Sequence, residues 1–190
     1  MNYFEALQTH YEKTWGPMAS TGRLTHGRRD GWGTDFYVGR WQVADLSIWA
    51  TFGMSEALAC GSDGAPSEPV ELFMLARANP ADEFSHIETL TMVAHFHRSF
   101  ASDGARLGVG HTVNFGRPWL PASRCSYGLV SRPYTYGSQL ESASQCRVLW
   151  LLPITAEERA YKIEAGLEAL EQKFEAAPFD FTDPLRASVI

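Results

Sequence analysis

The order of apolar and polar residues along the chain predicts several β-strands. Every second residue of 46–52 is apolar, which is the period of a strand, and apolar residues again line one face of 70–76. The loop at 61–69 holds two glycines and two prolines and joins these strands, so we expect them to pair in an antiparallel manner. Shorter alternating runs predict strands at 111–115 and 127–130.

Residues 147–152 form a continuous apolar run without alternation. Such a run is typical of a central strand that is buried on both faces. Trp150 is therefore a predicted core residue, and Pro153 is expected to end the strand because it lacks a backbone N–H.

Apolar residues at helical spacing predict three helices. The first covers 3–14, and the longest covers 82–101, where apolar residues form one broad stripe. A third helix begins with a capping box formed by Thr155 and Glu158. Its apolar residues recur at helical intervals, namely Ile163, Leu167, Leu170 and Phe174.

These elements predict a mixed α/β (α+β) fold with one domain. We expect a single mixed or mainly antiparallel sheet, on which a central helix and a C-terminal helix pack. With 190 residues, the chain has the length of one domain, assigned to 1–177. Residues 178–190 carry two prolines and two aspartates and predict an extended C-terminal tail.

Charge and composition narrow the class of partner. The net charge of −6 argues against nucleic-acid binding, and the one basic cluster, at 23–29, is short. No apolar run reaches the ~20 residues of a membrane helix, and no signal peptide is visible. The three cysteines lack CxxC spacing, so we expect reduced, buried thiols in a cytoplasmic protein; they are Cys60, Cys125 and Cys146.

The histidines do not predict a metal site. His95 and His97 are two residues apart and point to opposite sides of a helix. His86 and His97 share a face, but eleven residues separate them by ~16 Å along the helix axis. We interpret His86 and His97 as buried, hydrogen-bonded histidines and expect neither a metal nor another cofactor.

Nucleophile and nucleotide motifs are also incomplete. The segment 53–57 lacks the second glycine of a nucleophile elbow, and 108–113 has valine where a dinucleotide-binding loop needs its third glycine. We therefore expect a non-enzymatic protein. Two alternatives stay open: a hydrolase-like enzyme that uses His111 with Cys125 or a carboxylate in a cleft, and a structural subunit of a larger assembly.

Aromatic side chains make up 13% of the sequence and could supply the contacts of a protein-binding surface. The strongest candidates are aromatic or arginine residues in irregular segments, where core packing makes the fewest demands on them. For each of them, packing within the domain is the competing interpretation. The candidates are Trp32, Phe36, Tyr37, Arg117, Trp119, Tyr134 and Tyr136.

Four segments, in order, resemble the suppressor-of-fused domain family over roughly residues 30–175. They are Ile48-Trp-Ala-Thr-Phe-Gly-Met-Ser55, Glu71-Leu-Phe-Met-Leu75, Gly110-His-Thr-Val-Asn-Phe-Gly-Arg-Pro118 and Leu151-Leu-Pro-Ile-Thr-Ala-Glu-Glu-Arg159 with Tyr161 and Gly166. The resemblance implies a mixed α/β domain without catalytic residues or cofactor, which binds another protein.

The last of these segments is similar to the closing strand and helix of bacterial members of the family, so the chain resembles a bacterial stand-alone member. For such members an immunity role has been proposed, in which the protein neutralises a toxin of a polymorphic system, and the resemblance implies that role here. The partner implied is a basic toxin or a regulatory protein. The animal suppressor of fused is larger, and its second domain helps to clamp a transcription-factor peptide; this chain has room for the first domain only.

Overall fold

The computed structural model describes residues 2–22, 36–54, 69–100, 107–143 and 145–190, with backbone only at 20–22, 99 and 100. The elements in chain order are α1 (Tyr3–Trp15), β1 (Ser20–Gly22), β2 (Tyr37–Val43), β3 (Leu46–Phe52), β4 (Val70–Arg77), α2 (Glu83–Phe100), β5 (Thr112–Asn114), β6 (Cys125–Ser131), α3 (Ser138–Glu141), β7 (Arg147–Thr155), α4 (Ala156–Ala165) and α5 (Leu167–Ala176).

The described strands form one mixed sheet in the order β1-β2-β3-β4-β7-β6-β5. The β3–β4 pair is antiparallel, with Ile48 opposite Leu75, as the sequence predicts. The β4–β7 pair is parallel, with Val70 opposite Arg147, and every other neighbouring pair is antiparallel. The predicted mixed α/β fold with a single mixed sheet is confirmed.

Helices and irregular segments cover both faces of this sheet. On one face, Trp49 and Leu149 belong to a core cluster with residues of α2, such as Leu90. On the other face, Phe73 and Trp150 belong to a second cluster, which includes residues of α1, α5 and the C-terminal segment 178–190. The central strands β3, β4 and β7 are therefore buried on both sides.

The ladder between β4 and β7 ends early. It joins Val70–Phe73 to Arg147–Trp150, after which β4 continues to Arg77 and β7 to Thr155. The C-terminal segment reaches both strand ends. The N–H of Arg77 donates to the carbonyl of Thr182 (3.5 Å), and Arg186 donates to the carbonyl of Pro153 (2.9 Å).

The prediction that Pro153 ends its strand is wrong, since β7 runs through it to Thr155. Pro153 lies beyond the β4 ladder, where β7 pairs with β6 alone, opposite Gly128. A strand with one neighbour tolerates a proline, because fewer ladder hydrogen bonds depend on its backbone.

The predicted C-terminal helix is interrupted. Gly166 adopts a positive φ of 96°, closes α4 and begins α5. This change of direction breaks the predicted apolar stripe: Leu170 is fully buried, whereas Ile163 is 61% exposed. The predicted capping box is confirmed, because the N–H of Glu158 donates to Thr155 Oγ1 and the N–H of Thr155 donates to Glu158.

Sequence patterns missed β2, because Gly39 lies at its centre. A Cβ on Gly39 would lie 2.6 Å from the Phe52 ring and 2.8 Å from the Met18 sulfur. Glycine is present here because the strand packs closely beneath aromatic rings, and it does not indicate a turn. In the described part of the chain, no helix combines the length and apolarity that crossing a membrane requires.

Candidate functional site

Both predicted core histidines are buried and hydrogen-bonded. Trp119 Nε1 donates to His86 Nδ1 (3.1 Å), and the His86 ring stacks on Trp49 with 4.0 Å between centroids. Burial lowers the pKa of His86 to about 3, so the ring is neutral and can accept this hydrogen bond. His97 Nδ1 accepts from the N–H of Leu107 (3.2 Å). The prediction of structural histidines is confirmed.

The thiols within the described ranges are also buried. Cys125 and Cys146 are free cysteines with at most 2% exposure. Burial raises the pKa of the Cys125 thiol, which keeps it protonated and poorly nucleophilic at neutral pH. No three His, Cys, Asp or Glu residues of the described ranges are grouped to hold a metal ion. Cys60, Ser55 and the basic cluster at 23–29 lie outside the described residues.

A buried carboxylate fixes the turn that follows β3. Glu71 accepts hydrogen bonds from Tyr3 Oη (2.7 Å), Thr51 Oγ1 (2.6 Å) and the N–H of Met54 (3.2 Å). Burial and the nearby Glu71 carboxylate raise the pKa of Tyr3 far above its usual range. Arg98 also donates to the carbonyl of Met54 (3.0 Å). These contacts position the backbone of the turn and give the buried Glu71 side chain a structural role.

The described residues also form an open groove of about 400 Å³ on the face of the sheet that carries α5. Its floor is the sheet, and its walls are the loop after β6, the helix α5 and the C-terminal segment. We call it the aromatic groove. Its lining residues are Ser131, Tyr134, Thr135, Trp150, Leu152, Glu171, Phe174, Glu175, Phe179 and Phe181.

Ring contacts position the C-terminal wall of the aromatic groove. Phe179 stacks on Phe174 of α5 with 4.3 Å between centroids, and Phe181 meets Trp150 of β7 edge-on at 4.9 Å. These contacts connect α5 to the sheet through a segment that is itself neither helix nor strand. The groove therefore depends on residues 178–190 being held in place.

Buried polar contacts hold that segment. The Arg186 guanidinium donates to both oxygens of Glu158 (2.6 and 2.8 Å), and both side chains are almost fully buried. The N–H of Val189 donates to the same carboxylate (3.1 Å). Ser123 Oγ donates to the carbonyl of Pro184 (2.6 Å). The segment thus packs on the domain through specific hydrogen bonds along its length.

The aromatic groove is acidic. Glu171 and Glu175 are its only charged residues among the described lining residues. Tyr134, with 59% of its surface exposed, donates from Oη to Glu171 Oε1 (2.8 Å). Partial burial and the neighbouring carboxylate raise the pKa of Tyr134 to about 12, so it stays a hydrogen-bond donor. Trp150 is 4% exposed, and its Nε1 has no acceptor among the described residues.

The predicted contact residues fall into different environments. Tyr134 lines the aromatic groove. Tyr136 follows it in the same loop but is half-buried, with its ring against Trp15 and Phe73. Tyr37 is half-buried against Phe4, with 5.5 Å between ring centroids.

The remaining candidates lie elsewhere. Phe36 and Trp119 are buried in the core cluster on the α2 face. Arg117 forms a salt bridge with Glu88 of α2. Trp32 lies outside the described residues. The structure therefore does not bring the seven candidates together in one site, and Tyr134 alone among those described lines the groove.

Sequence reasoning missed most of the groove. Its residues on α5 and in the C-terminal segment were not candidates, namely Glu171, Phe174, Glu175, Phe179 and Phe181. One signal was present: the segment 178–190, predicted as an extended tail, carries two phenylalanines at alternate positions. Apolar rings in such a segment indicate that it packs on something.

Comparisons with known proteins agree on one family. The family described as Suppressor of fused protein (SUFU) matches residues 37–187. A crystal structure of a SUFU homolog from Neisseria gonorrhoeae is 30% identical, with a TM-score of 0.81 over 99% of this chain and 97% of that one. A search of curated protein sequences finds no match.

Two more distant structures share the fold. A chain of the Sufu–Fu complex is 12% identical, with a TM-score of 0.68 over 98% of this chain and 92% of that one. Drosophila Suppressor of Fused is also 12% identical, with a TM-score of 0.67 over 98% of this chain. The match spans 51% of the Drosophila chain, so that protein has a large part with no counterpart here.

Proposed function

Because the chain belongs to the suppressor of fused protein family, we propose that it is a non-enzymatic domain that acts by binding another protein through the aromatic groove. One chain of the same fold was solved in the Sufu–Fu complex, which supports a protein as the partner.

The observation that carries the proposal is the concentration of rings in one open groove. Tyr134, Trp150 and three phenylalanines line it, and aromatic side chains supply much of the affinity of protein interfaces. Among the described lining residues there is neither a histidine nor a cysteine, so the pairs that an enzyme of the hydrolase type would need do not meet there. Binding suits this chemistry better than catalysis.

A narrower form of the proposal is an immunity role in the cytoplasm, with a toxin as the partner. It is supported by the resemblance to bacterial stand-alone members and by the buried free thiols Cys125 and Cys146. The genomic neighbourhood tests it: we expect the gene for a large secreted toxin beside the gene for this protein. A partner without toxicity to the host would contradict the immunity role and leave the binding role intact.

Affinity capture from the native host tests the binding role and the groove together. The bait is the tagged full chain, compared with Tyr134→Ala in the groove and with Phe84→Ala on α2. Phe84 is a matched control, because it is also an exposed aromatic residue (68%) and does not line the groove. Quantitative mass spectrometry measures the proteins retained by each bait.

We expect the unchanged chain and Phe84→Ala to retain one specific protein. The amount retained by Tyr134→Ala should be at least about tenfold lower, which corresponds to a loss of roughly 1.4 kcal/mol in binding free energy. If only Phe84→Ala fails to retain the partner, the contact surface lies on α2. Retention of no specific protein, together with turnover in a small-molecule screen, would contradict the binding role.

A further inference from the structure

We infer that the aromatic groove seats an arginine side chain from an extended basic segment of the partner. The inference rests on the proposed function and names the chemistry that the same site recognises. Two features of the groove carry it: its charge and its ring faces.

The charge of the groove favours a cation. Glu171 and Glu175 are four residues apart on α5, so both lie on one face of the helix, beside the groove. Within the described part of the chain, neither carboxylate forms a salt bridge, and the lining contains no lysine, arginine or histidine. Two unneutralised carboxylates at an open groove attract a positive group from outside.

Nearby cations are engaged elsewhere. Lys173 of α5 lies over the ring of Tyr161, with its Nζ 5.7 Å from the centroid. Arg132, in the loop after β6, lies 3.8 Å from Glu141, although its charge also acts on Tyr134. Arg186 is held by the buried Glu158. Within the described ranges, none of these cations forms a salt bridge with Glu171 or Glu175, so a cation from a partner can pair with them.

The rings favour a guanidinium over an ammonium. A planar guanidinium stacks on aromatic faces and binds carboxylates through two parallel hydrogen bonds, which a lysine cannot do. The same aromatic cluster already holds one: Arg186 Cζ lies 4.5 Å from the centroid of the Phe179 ring. The groove repeats this combination of ring and carboxylate with Tyr134, Phe174 and Glu171, and its described lining residues include no arginine.

Trp150 supplies a reporter for the site. Its indole lies in the floor of the groove, so its NMR signal is expected to respond when a segment binds there.

A pair of peptides of matched shape tests the inference. The probes are Ac-Leu-Arg-Leu-NH2 and its citrulline counterpart, in which a neutral urea replaces the guanidinium and removes both the charge and the paired N–H donors. Both are titrated into the isotope-labelled full chain, and NMR shifts of the Trp150 indole and of the Tyr134 and Glu171 amides are followed. The titration is repeated with Glu171→Gln/Glu175→Gln.

We expect the arginine peptide to shift these signals and to bind at least tenfold more tightly than the citrulline peptide. The difference should disappear in Glu171→Gln/Glu175→Gln. A control that removes the same net charge, Glu164→Gln/Glu168→Gln, should preserve it, because both carboxylates are exposed and do not line the groove. Equal binding of the two peptides, or shifts confined to other surfaces, would overturn the inference.

The capture experiment can contradict arginine binding in the groove without contradicting the proposed function. If Glu171→Gln/Glu175→Gln captures the partner as well as the unchanged chain does, while Tyr134→Ala loses it, the groove binds the partner without an arginine. If neither set of substitutions weakens capture, the groove itself is not the contact surface.

Discussion

Arg186 and Glu158 form a buried bidentate ion pair, with 2.6 and 2.8 Å between the guanidinium nitrogens and the carboxylate oxygens. The same carboxylate accepts from the N–H of Thr155 at the start of α4 and from the N–H of Val189. One side chain thereby caps a helix and holds the C-terminal segment. The wall of the aromatic groove depends on this pair, because Phe179 and Phe181 belong to that segment.

Removing Arg186 should be strongly destabilising. Arg186→Met leaves the Glu158 carboxylate buried without its partner, and we expect a loss of about 3–5 kcal/mol in the free energy of unfolding. Urea denaturation at neutral pH measures it. The matched control is Arg77→Met, whose ion pair with Asp180 is largely exposed and should contribute about 1 kcal/mol or less. Equal losses for the two substitutions would show that the Arg186 pair is not buried in solution.

The stability of the protein should fall in acid because of His86. Burial holds its folded-state pKa near 3, whereas the ordinary value in the unfolded chain is about 6.5. Below pH 6.5 the unfolded state binds a proton that the folded state does not, so stability falls as the pH drops toward 3. The slope from this one group approaches about 1.4 kcal/mol per pH unit.

The substitution His86→Gln isolates the contribution of His86 to the pH dependence of stability. His86→Gln keeps a side-chain acceptor for Trp119 Nε1 but cannot titrate. We expect the difference in unfolding free energy between pH 6.5 and pH 5 to be smaller in His86→Gln by about 1.6 kcal/mol, as measured by urea denaturation. An unchanged pH dependence would mean that His86 titrates alike in the folded and unfolded states.

Gly128 should not tolerate a side chain. A Cβ on Gly128 of β6 would lie 2.6 Å from Leu151 Cδ1 and 2.8 Å from the Phe115 ring, so Gly128→Ala should cost about 1–3 kcal/mol. Gly108 is the control, because a Cβ there meets nothing within 4 Å, and Gly108→Ala should stay within about 0.5 kcal/mol. The two variants are compared by their melting temperatures. Equal decreases in the melting temperature would contradict the close packing between β6 and β7.

Trp150→Ala should unfold the domain or reduce its stability by about 3–5 kcal/mol. The ring is 4% exposed, stacks on Phe73 and meets Phe181 edge-on. Tyr134→Ala removes a ring from the same groove, but the Tyr134 side chain is largely exposed, so we expect a change of at most about 1 kcal/mol. A Trp150→Ala protein with an unchanged melting temperature would contradict the burial of β7.

Local sequence patterns were sufficient to predict the elements that are determined by residues close together in the sequence. The helical spacing of α1 and α2 and the capping box at Thr155 depend on residues within a few positions of each other. The pattern failed where distant residues decide the structure. Strand β2 was not predicted, and the close approach of the Phe52 ring to Gly39 is visible only in the fold. Pro153 looks like a strand end until its place beyond the β4 ladder is known.

The groove could not be predicted from the sequence for the same reason. Four segments build it, and the bond that holds its C-terminal wall joins Arg186 to a residue 28 positions earlier. Tyr134 could be selected because it lies in an irregular segment, where an aromatic residue has few packing duties. Glu171 and Phe174 could not, because on a helix they are indistinguishable from a solvated charge and a core residue until the partner surface is known.

The strand order has a consequence for how the chain folds. Strands β1 to β4 pair with their neighbours in sequence, and β5 to β7 do the same, so the loop closures within each half of the sheet are shorter than the one that joins the halves. Among the described strands, the parallel ladder of Val70–Phe73 with Arg147–Trp150 joins the halves through the sheet and must wait for a long closure. We expect the two halves to gain protection from hydrogen exchange separately, and the seam at Phe73 and Trp150, on which the groove rests, to be completed last.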